Sequence, residues 1–225
     1  MSATGVTMRF LFFLMCFAVL PVHAADFSDK TRFPAASGLY YPIDADAMKK
    51  QTRDLLAAAQ GRFRFDGTKI PKAVIVPHNP LNTESGRVAA AGYAALMPLK
   101  PFVRRVVIVA EPQHGRYFGI SLSSAKYWAM PSGQKFETDR GLTEQLRKIQ
   151  GFDFDDGAFE TEEAIEAQLP FISAVFRPER FKSFLLPMPA RPRAFPLCLR
   201  VARLLRRSSL PYGDRPVRGI VPPSA

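Results

Sequence analysis

Cysteine, histidine and tryptophan are scarce in this chain, with two, three and one in 225 residues. Two cysteines, Cys16 and Cys198, cannot build the disulfide framework that stabilises a small secreted scaffold. There is no G-x-S-x-G, no G-x-x-x-x-G-K-[ST] and no G-x-G-x-x-G. Their absence removes the nucleophile elbow, the phosphate-cradling loop and the dinucleotide fingerprint as readings. Acidic residues are scarce at one end only. Of the 31 Lys+Arg and 20 Asp+Glu, 11 and 2 lie from Arg177 onward, a net +9 against +2 for the first 176 residues. The net charge of +11 therefore belongs to the tail. A nucleic-acid partner would need a basic face on the folded body, and none is expected.

The one long apolar run is "FLFFLMCFAVL", Phe10–Leu20, 11 residues. It is too short to span a bilayer comfortably. Arg9 before it and "PVHA" after it, with Val22 and Ala24 at the small-residue positions, read as a secretory signal cut after Ala24. Export to the periplasm or medium is the expectation, with Cys16 and His23 lost in processing. Retention of the segment as an anchor is the alternative, and only then would a membrane be a partner.

The remainder has the hydrophobic content of a globular domain, at 47% for the whole chain. "DADAMKKQTRDLLAAAQG" reads as a helix capped by Asp44 or Asp46 and stopped by Gly61, with Met48, Leu55, Leu56 and Ala59 on one face. "KAVIVP", Lys72–Pro77, and "VRRVVIVA", Val103–Ala110, read as buried strands. "SGRVAAAGYAALM" between them reads as a helix with a stripe of Val88, Ala91, Ala95 and Leu96. "YFGISLSS" is a third, shorter strand. "TDRGLTEQLRKI" carries Leu142, Leu146 and Ile149 at helical spacing, and "ETEEAIEAQLPFISAVF" is a helix that Pro170 bends or resets. This order predicts an α/β fold, an open and mainly parallel sheet flanked by helices. The domain spans about residues 26–176, after a signal at 1–24. Residues 177–225 hold nine of the 20 prolines and do not continue such a sheet for long. Only Leu197–Leu205 there has helical character. Two readings stay open for this part: a basic interaction tail, or the translation of a shifted reading frame after Lys182.

After removal of the signal, two histidines remain. His78 follows the first strand and His114 the second, in "AEPQHG". In an open α/β sheet the ends of parallel strands border the ligand crevice. Two imidazoles there can begin a transition-metal site, or simply bond locally in their loops.

The segments in series decide more than either histidine. "SGLYYPIDADAMKKQTRDLL", "VIVPH", "SGRVAAAGYAAL", "VVIVAEPQHGRYFGISLS", "YWAMPSGQKFETDRGLTEQL" and "EEAIEAQLPFISAVF" together resemble the Memo family, which includes the AmmeMemoRadiSam system protein B. The resemblance runs in order from about Phe33 to Phe176. It implies a fold like that of the class III extradiol dioxygenases (LigB-like), with a metal crevice at strand ends. It also implies that His78 matches the histidine of the family's "PHAGY-x-YSG" motif and His114 that of "GPSH". A bound iron or copper is the cofactor so implied. Class III extradiol chemistry uses such a metal to bind a catecholate and O₂ together.

The chain departs from the family pattern in four places. "PHNPLNTESG" replaces "AGY" with Asn79, Pro80 and Leu81 and is one residue longer before Ser85 and Gly86. "EPQH" sets Glu111 and Gln113 in the pocket wall. The histidine of "EHS-x-E" is Glu163 here. No "SSD-x-SH" follows, and Cys198 sits in no matching context.

Three assignments follow, each with its alternative. Glu163 completes a two-histidine, one-carboxylate site, or lies exposed on an acidic helix face. Glu111 is the other carboxylate candidate for the metal, or bonds to His114 from outside the metal's own ligands. Ser85 and Gly86 bind an anion at a helix start, or are a cap and a turn. The functional readings are a Memo-like exported protein with a divalent-metal crevice, a non-catalytic binding or scaffold domain without its metal, or a truncated inactive product. Whether the chain is an enzyme stays open, and the partner is an unidentified small molecule or protein.

Overall fold

The structure is a computed structural model. It describes residues 29–63, 71, 73–111 and 120–176, and the backbone of 182–187. The signal segment, Gln113, His114, Cys198 and the Leu197–Leu205 helix lie outside these residues.

Helix α1, Ala45–Ala59, starts where Asp44 accepts a 2.7 Å hydrogen bond from the Ala47 N–H. This is the side-chain cap that compensates an unpaired first-turn donor. Gly61, at φ 79°, takes the left-handed backbone that turns the chain away. Met48, Thr52, Leu56 and Ala59 form its buried face. Helix α2, Glu84–Leu96, is capped by Thr83, whose Oγ1 accepts from the Gly86 N–H at 3.2 Å. Ser85 therefore sits inside the first turn and is not the cap. The buried stripe is Gly86, Ala89, Ala90, Ala91, Tyr93 and Ala95, while Val88 is 57% exposed. The stripe read from sequence was out of phase at Val88 because several alanine faces compete equally.

Among the described residues the strands form three small sheets. In the first, β4 (Tyr127–Ala129) lies between β1 (Thr31–Arg32), parallel, and β5 (Lys135–Glu137), antiparallel. In the second, β2 (Arg105–Ala110) pairs in parallel with β7 (Lys182–Pro187), from Arg105–Lys182 through to Ala110–Pro187. In the third, β3 (Ile120–Leu122) pairs in parallel with β6 (Phe152–Phe154), and β3 also lies alongside β7. The α/β class and the mainly parallel pairing agree with the expectation. The sheet also runs on past Phe176 through β7.

One expected strand is not formed among the described residues. Residues 73–77 join no ladder. Val74 and Val76 pack toward Gly92 of α2, while Ile75 is fully exposed. An apolar run supplies side chains for a strand but does not by itself supply the partner whose backbone must complete it.

Helix α3, Arg140–Arg147, is capped by Asp139, with Leu142 and Leu146 buried. The segment carrying Pro170 is two helices, α4 (Glu163–Glu166) and α5 (Leu169–Val175), with the proline in the first turn of α5. Pro170 thus resets the helix, at a position where its missing N–H is harmless. Helices α1, α2 and α5 pack together over the larger core, whose bulkiest buried members include Trp128, Phe136, Phe159 and Phe171. A smaller core joins Ile120, Leu122, Leu142, Leu146 and Phe152. Strand β2 divides the two by its alternation: Val106, Ile108 and Ala110 face the larger core and Val107 the smaller.

Candidate functional site

The loop from Pro77 to Thr83 is built into the fold at several points. The Leu81 N–H donates to the Tyr40 carbonyl at 2.8 Å, and the Leu81 side chain is 1% exposed. Thr83 Oγ1 donates to the Pro80 carbonyl at 2.6 Å. Gly86 closes against the same loop, since a Cβ built there would stand 2.4 Å from the Leu81 carbonyl oxygen. Its role is close backbone packing under the loop. His78 is half-buried, Asn79 is exposed and Ser85 is half-buried.

Helix α4 packs on β2. Its first residue, Glu163, is half-buried. Tyr40 holds the loop through its carbonyl, and its hydroxyl feels the charges at the start of α4. Burial first, then the negative charges of Glu163 and Glu162, push its hydroxyl above the ordinary phenol range. Glu111, directly after β2, is exposed. Tyr40 thus links the His78 loop, through its carbonyl, to the charges at the start of α4, and α4 in turn packs on β2. Among the described residues, no three His, Cys, Asp or Glu side chains gather closely enough to hold a metal ion. A three-donor set around His78 would need a donor from outside them, where His114 lies.

Beneath this surface is a polar cluster that the sequence reading missed. Glu166 is fully buried. Its Oε1 accepts from the Ala36 N–H at 2.8 Å and the Tyr41 hydroxyl at 2.5 Å. Its Oε2 accepts from the Ala35 N–H at 2.9 Å and from Arg32 Nη1 at 2.5 Å. Arg32 also donates to the carbonyls of Phe159 (2.8 Å) and Glu162 (3.0 Å) and lies 4.3 Å from the centre of the Trp128 ring. Burial, then the Glu166 carboxylate, raises the Tyr41 hydroxyl far above its usual range. Glu162, 1% exposed, accepts from the Ala164 N–H at 2.8 Å and caps α4. The acids of "ETEEAIE" are therefore only partly a solvated face: Glu162 and Glu166 point inward. One signal was available, since both share the helical stripe of Ile165 and Leu169 and so had to find buried partners.

Gln168 was missed as well. It is 5% exposed, and its Oε1 accepts from the Tyr93 hydroxyl at 3.1 Å. Its Nε2 lies 3.4 Å from the Pro77 carbonyl and 3.4 Å from that of Ala164.

Comparison with known proteins places this arrangement. A family model described as Memo-like protein matches residues 32–192. The chain belongs to the Memo-like family. It is 30% identical over 149 residues to a MEMO1 family protein of Methanobrevibacter smithii, covering 63% of this chain and 51% of that one. It is 30% identical over 150 residues to one of Aquifex aeolicus, covering 67% and 52%. A MEMO1 family protein of Caldivirga maquilingensis is 30% identical over 166 residues, covering 69% and 56%. The chain spans about half the length of the curated relatives it matches. The Memo match includes β7 and passes the domain edge read at Phe176. Among the described residues of this Memo-like chain, no helix is long and apolar enough to cross a membrane.

Proposed function

We propose that the chain is an exported Memo-like protein that holds a divalent metal, iron or copper, at the crevice bordered by His78, with His114 as the second ligand. Glu163 is the third ligand in this reading, and Glu111 and Gln113 line the wall. The observation that supports it is the family match over residues 32–192, with the His78 loop tied to Tyr40, whose hydroxyl feels the charge of Glu163. Two imidazoles and a carboxylate suit iron or copper in donor chemistry. Bound there, the metal would supply a Lewis-acid centre for an oxygen ligand. The protein's own part is to hold the histidine loop rigid, through the Leu81–Tyr40 bond and the packing of Gly86. The "RFLFFLMCFAVLPVHA" segment supports export to the periplasm or medium.

Metal analysis of the purified chain beside His78→Ala and His114→Ala tests the reading. Stoichiometric iron or copper in the parent, lost in both variants, is the expected result. A parent without metal after supplementation with either ion would overturn it. A second reading, a binding or scaffold domain without metal, draws on Leu81. In the remodelled loop that residue is a core side chain, so the loop also works as a structural strut. This reading predicts metal-free protein whose stability is unchanged by His78→Ala.

A further inference from the structure

We propose that Gln168 is the positioning residue for His78. The inference rests on the reading of the His78 crevice as the functional site and deepens it.

His78 has an unusual support problem. A histidine at a strand end is ordinarily held by the ladder of the strand before it, and residues 73–77 join no ladder. The Pro77 carbonyl belongs to the peptide plane that also contains the His78 nitrogen and Cα. Fixing that carbonyl sets the direction in which His78 leaves the chain. Gln168 Nε2 reaches it at 3.4 Å and reaches the Ala164 carbonyl at 3.4 Å. These are long contacts for N–H···O bonds, so the rest of the setting must hold the amide in place. It does so from the other end, where the Tyr93 hydroxyl donates to Oε1 at 3.1 Å. Two carbonyls on one side and a hydroxyl donor on the other fix which way the amide points. A flipped amide would place its oxygen against both carbonyls.

The anchor behind the amide is rigid. The Tyr93 ring stacks on Phe171 of α5 with centroids 5.0 Å apart and planes 13° from parallel. Tyr93 is 6% exposed. Gln168 therefore ties the residue before His78 to α2 through Tyr93 and to α4 through Ala164. Its hydrogen bonds go to Tyr93, Pro77 and Ala164, so it acts on His78 through the Pro77 peptide.

The test uses the full chain labelled at histidine, with Gln168→Leu, Gln168→Glu, Tyr93→Phe and Leu146→Ala as a control. Leu146 lies fully buried in the smaller core, so its truncation destabilises the protein without reaching the loop. The readouts are the His78 imidazole resonance, assigned with His78→Ala, and the affinity for added Co²⁺. Both Gln168 variants should move the His78 resonance and weaken Co²⁺ about 10-fold. Tyr93→Phe should do so less, and Leu146→Ala should leave the resonance in place. A His78 resonance that stays fixed in folded Gln168→Glu and Tyr93→Phe, or that moves equally in Leu146→Ala, would overturn the proposal. If the parent binds no Co²⁺, the metal reading falls, while the resonance comparison still decides the role of Gln168.

Discussion

Replacing Glu166 by glutamine should be among the most damaging single-atom changes this protein can suffer. Glu166 accepts four hydrogen bonds, from two backbone N–H groups, the Tyr41 hydroxyl and Arg32. A glutamine keeps one acceptor oxygen and presents an NH₂ to the other pair of donors, in either orientation. Arg32, whose side chain is 10% exposed, would be left without its counter-charge. Removing one partner of a buried ion pair costs about 3–5 kcal/mol, a large share of the roughly 5–15 kcal/mol that holds a domain together. With a urea dependence of about 2 kcal/mol per molar, the midpoint should fall by about 2 M. The assay is built in. Trp128, the single tryptophan of the chain, lies beneath Arg32 and edge-on to Phe159 at 5.8 Å. Its fluorescence reports unfolding of the cluster directly. Arg32→Met combined with Glu166→Gln should cost less than the sum of the two single changes, because the pair is coupled. A midpoint for Glu166→Gln within about 0.3 M of the parent, where 1 kcal/mol corresponds to roughly 0.5 M, would refute the reasoning.

Two further outcomes follow from the same packing. Burial raises the Tyr41 and Tyr93 hydroxyls, and the Glu166 carboxylate adds to this at Tyr41. The unfolded chain loses these protons near pH 10 while the native state keeps them, at about 1.4 kcal/mol per pH unit for each group. Stability is therefore unaffected by these groups below that pH and falls above it, and Tyr93→Phe should make the fall shallower in urea midpoints taken from pH 9 to 11.5. Gly86→Ala would force a methyl to within 2.4 Å of the Leu81 carbonyl oxygen. Because backbone cannot swing aside, it should cost about 3 kcal/mol or more in thermal unfolding, whereas Gly133→Ala, in open space at φ 76°, should cost only about 1–2 kcal/mol.

Some of this was legible in the sequence, and the boundary has a physical cause. Helices α1 and α3 were readable because their signals are local: an aspartate cap, a spaced apolar stripe and, for α1, a terminal glycine. Pro170 was readable for the same reason. Of the strand expected at Lys72–Pro77, the described residues 73–77 are in no strand, because pairing depends on a neighbour that the segment does not name. The acids of α4 read as a solvent face, and their burial is decided by Arg32, 134 residues from Glu166. His78 was found by its place after an apolar run. Gln168, the residue that reaches its peptide, offered no local sign, because its partners lie 75 and 91 residues away.

That spacing has a consequence for how the protein is made. Arg105 pairs with Lys182, and Arg32 waits for Glu166. A chain emerging from the ribosome amino end first can form α1 and α2 early, but it has nothing to close them against. Its aromatic interior stays wet until Glu166 is available, and the β2–β7 pair comes later still. Contacts of such long sequence separation are slow to form and leave sticky intermediates. Whether it folds at the ribosome or after export, the chain therefore depends on chaperones that shield its apolar segments until Glu166 and β7 can close over them.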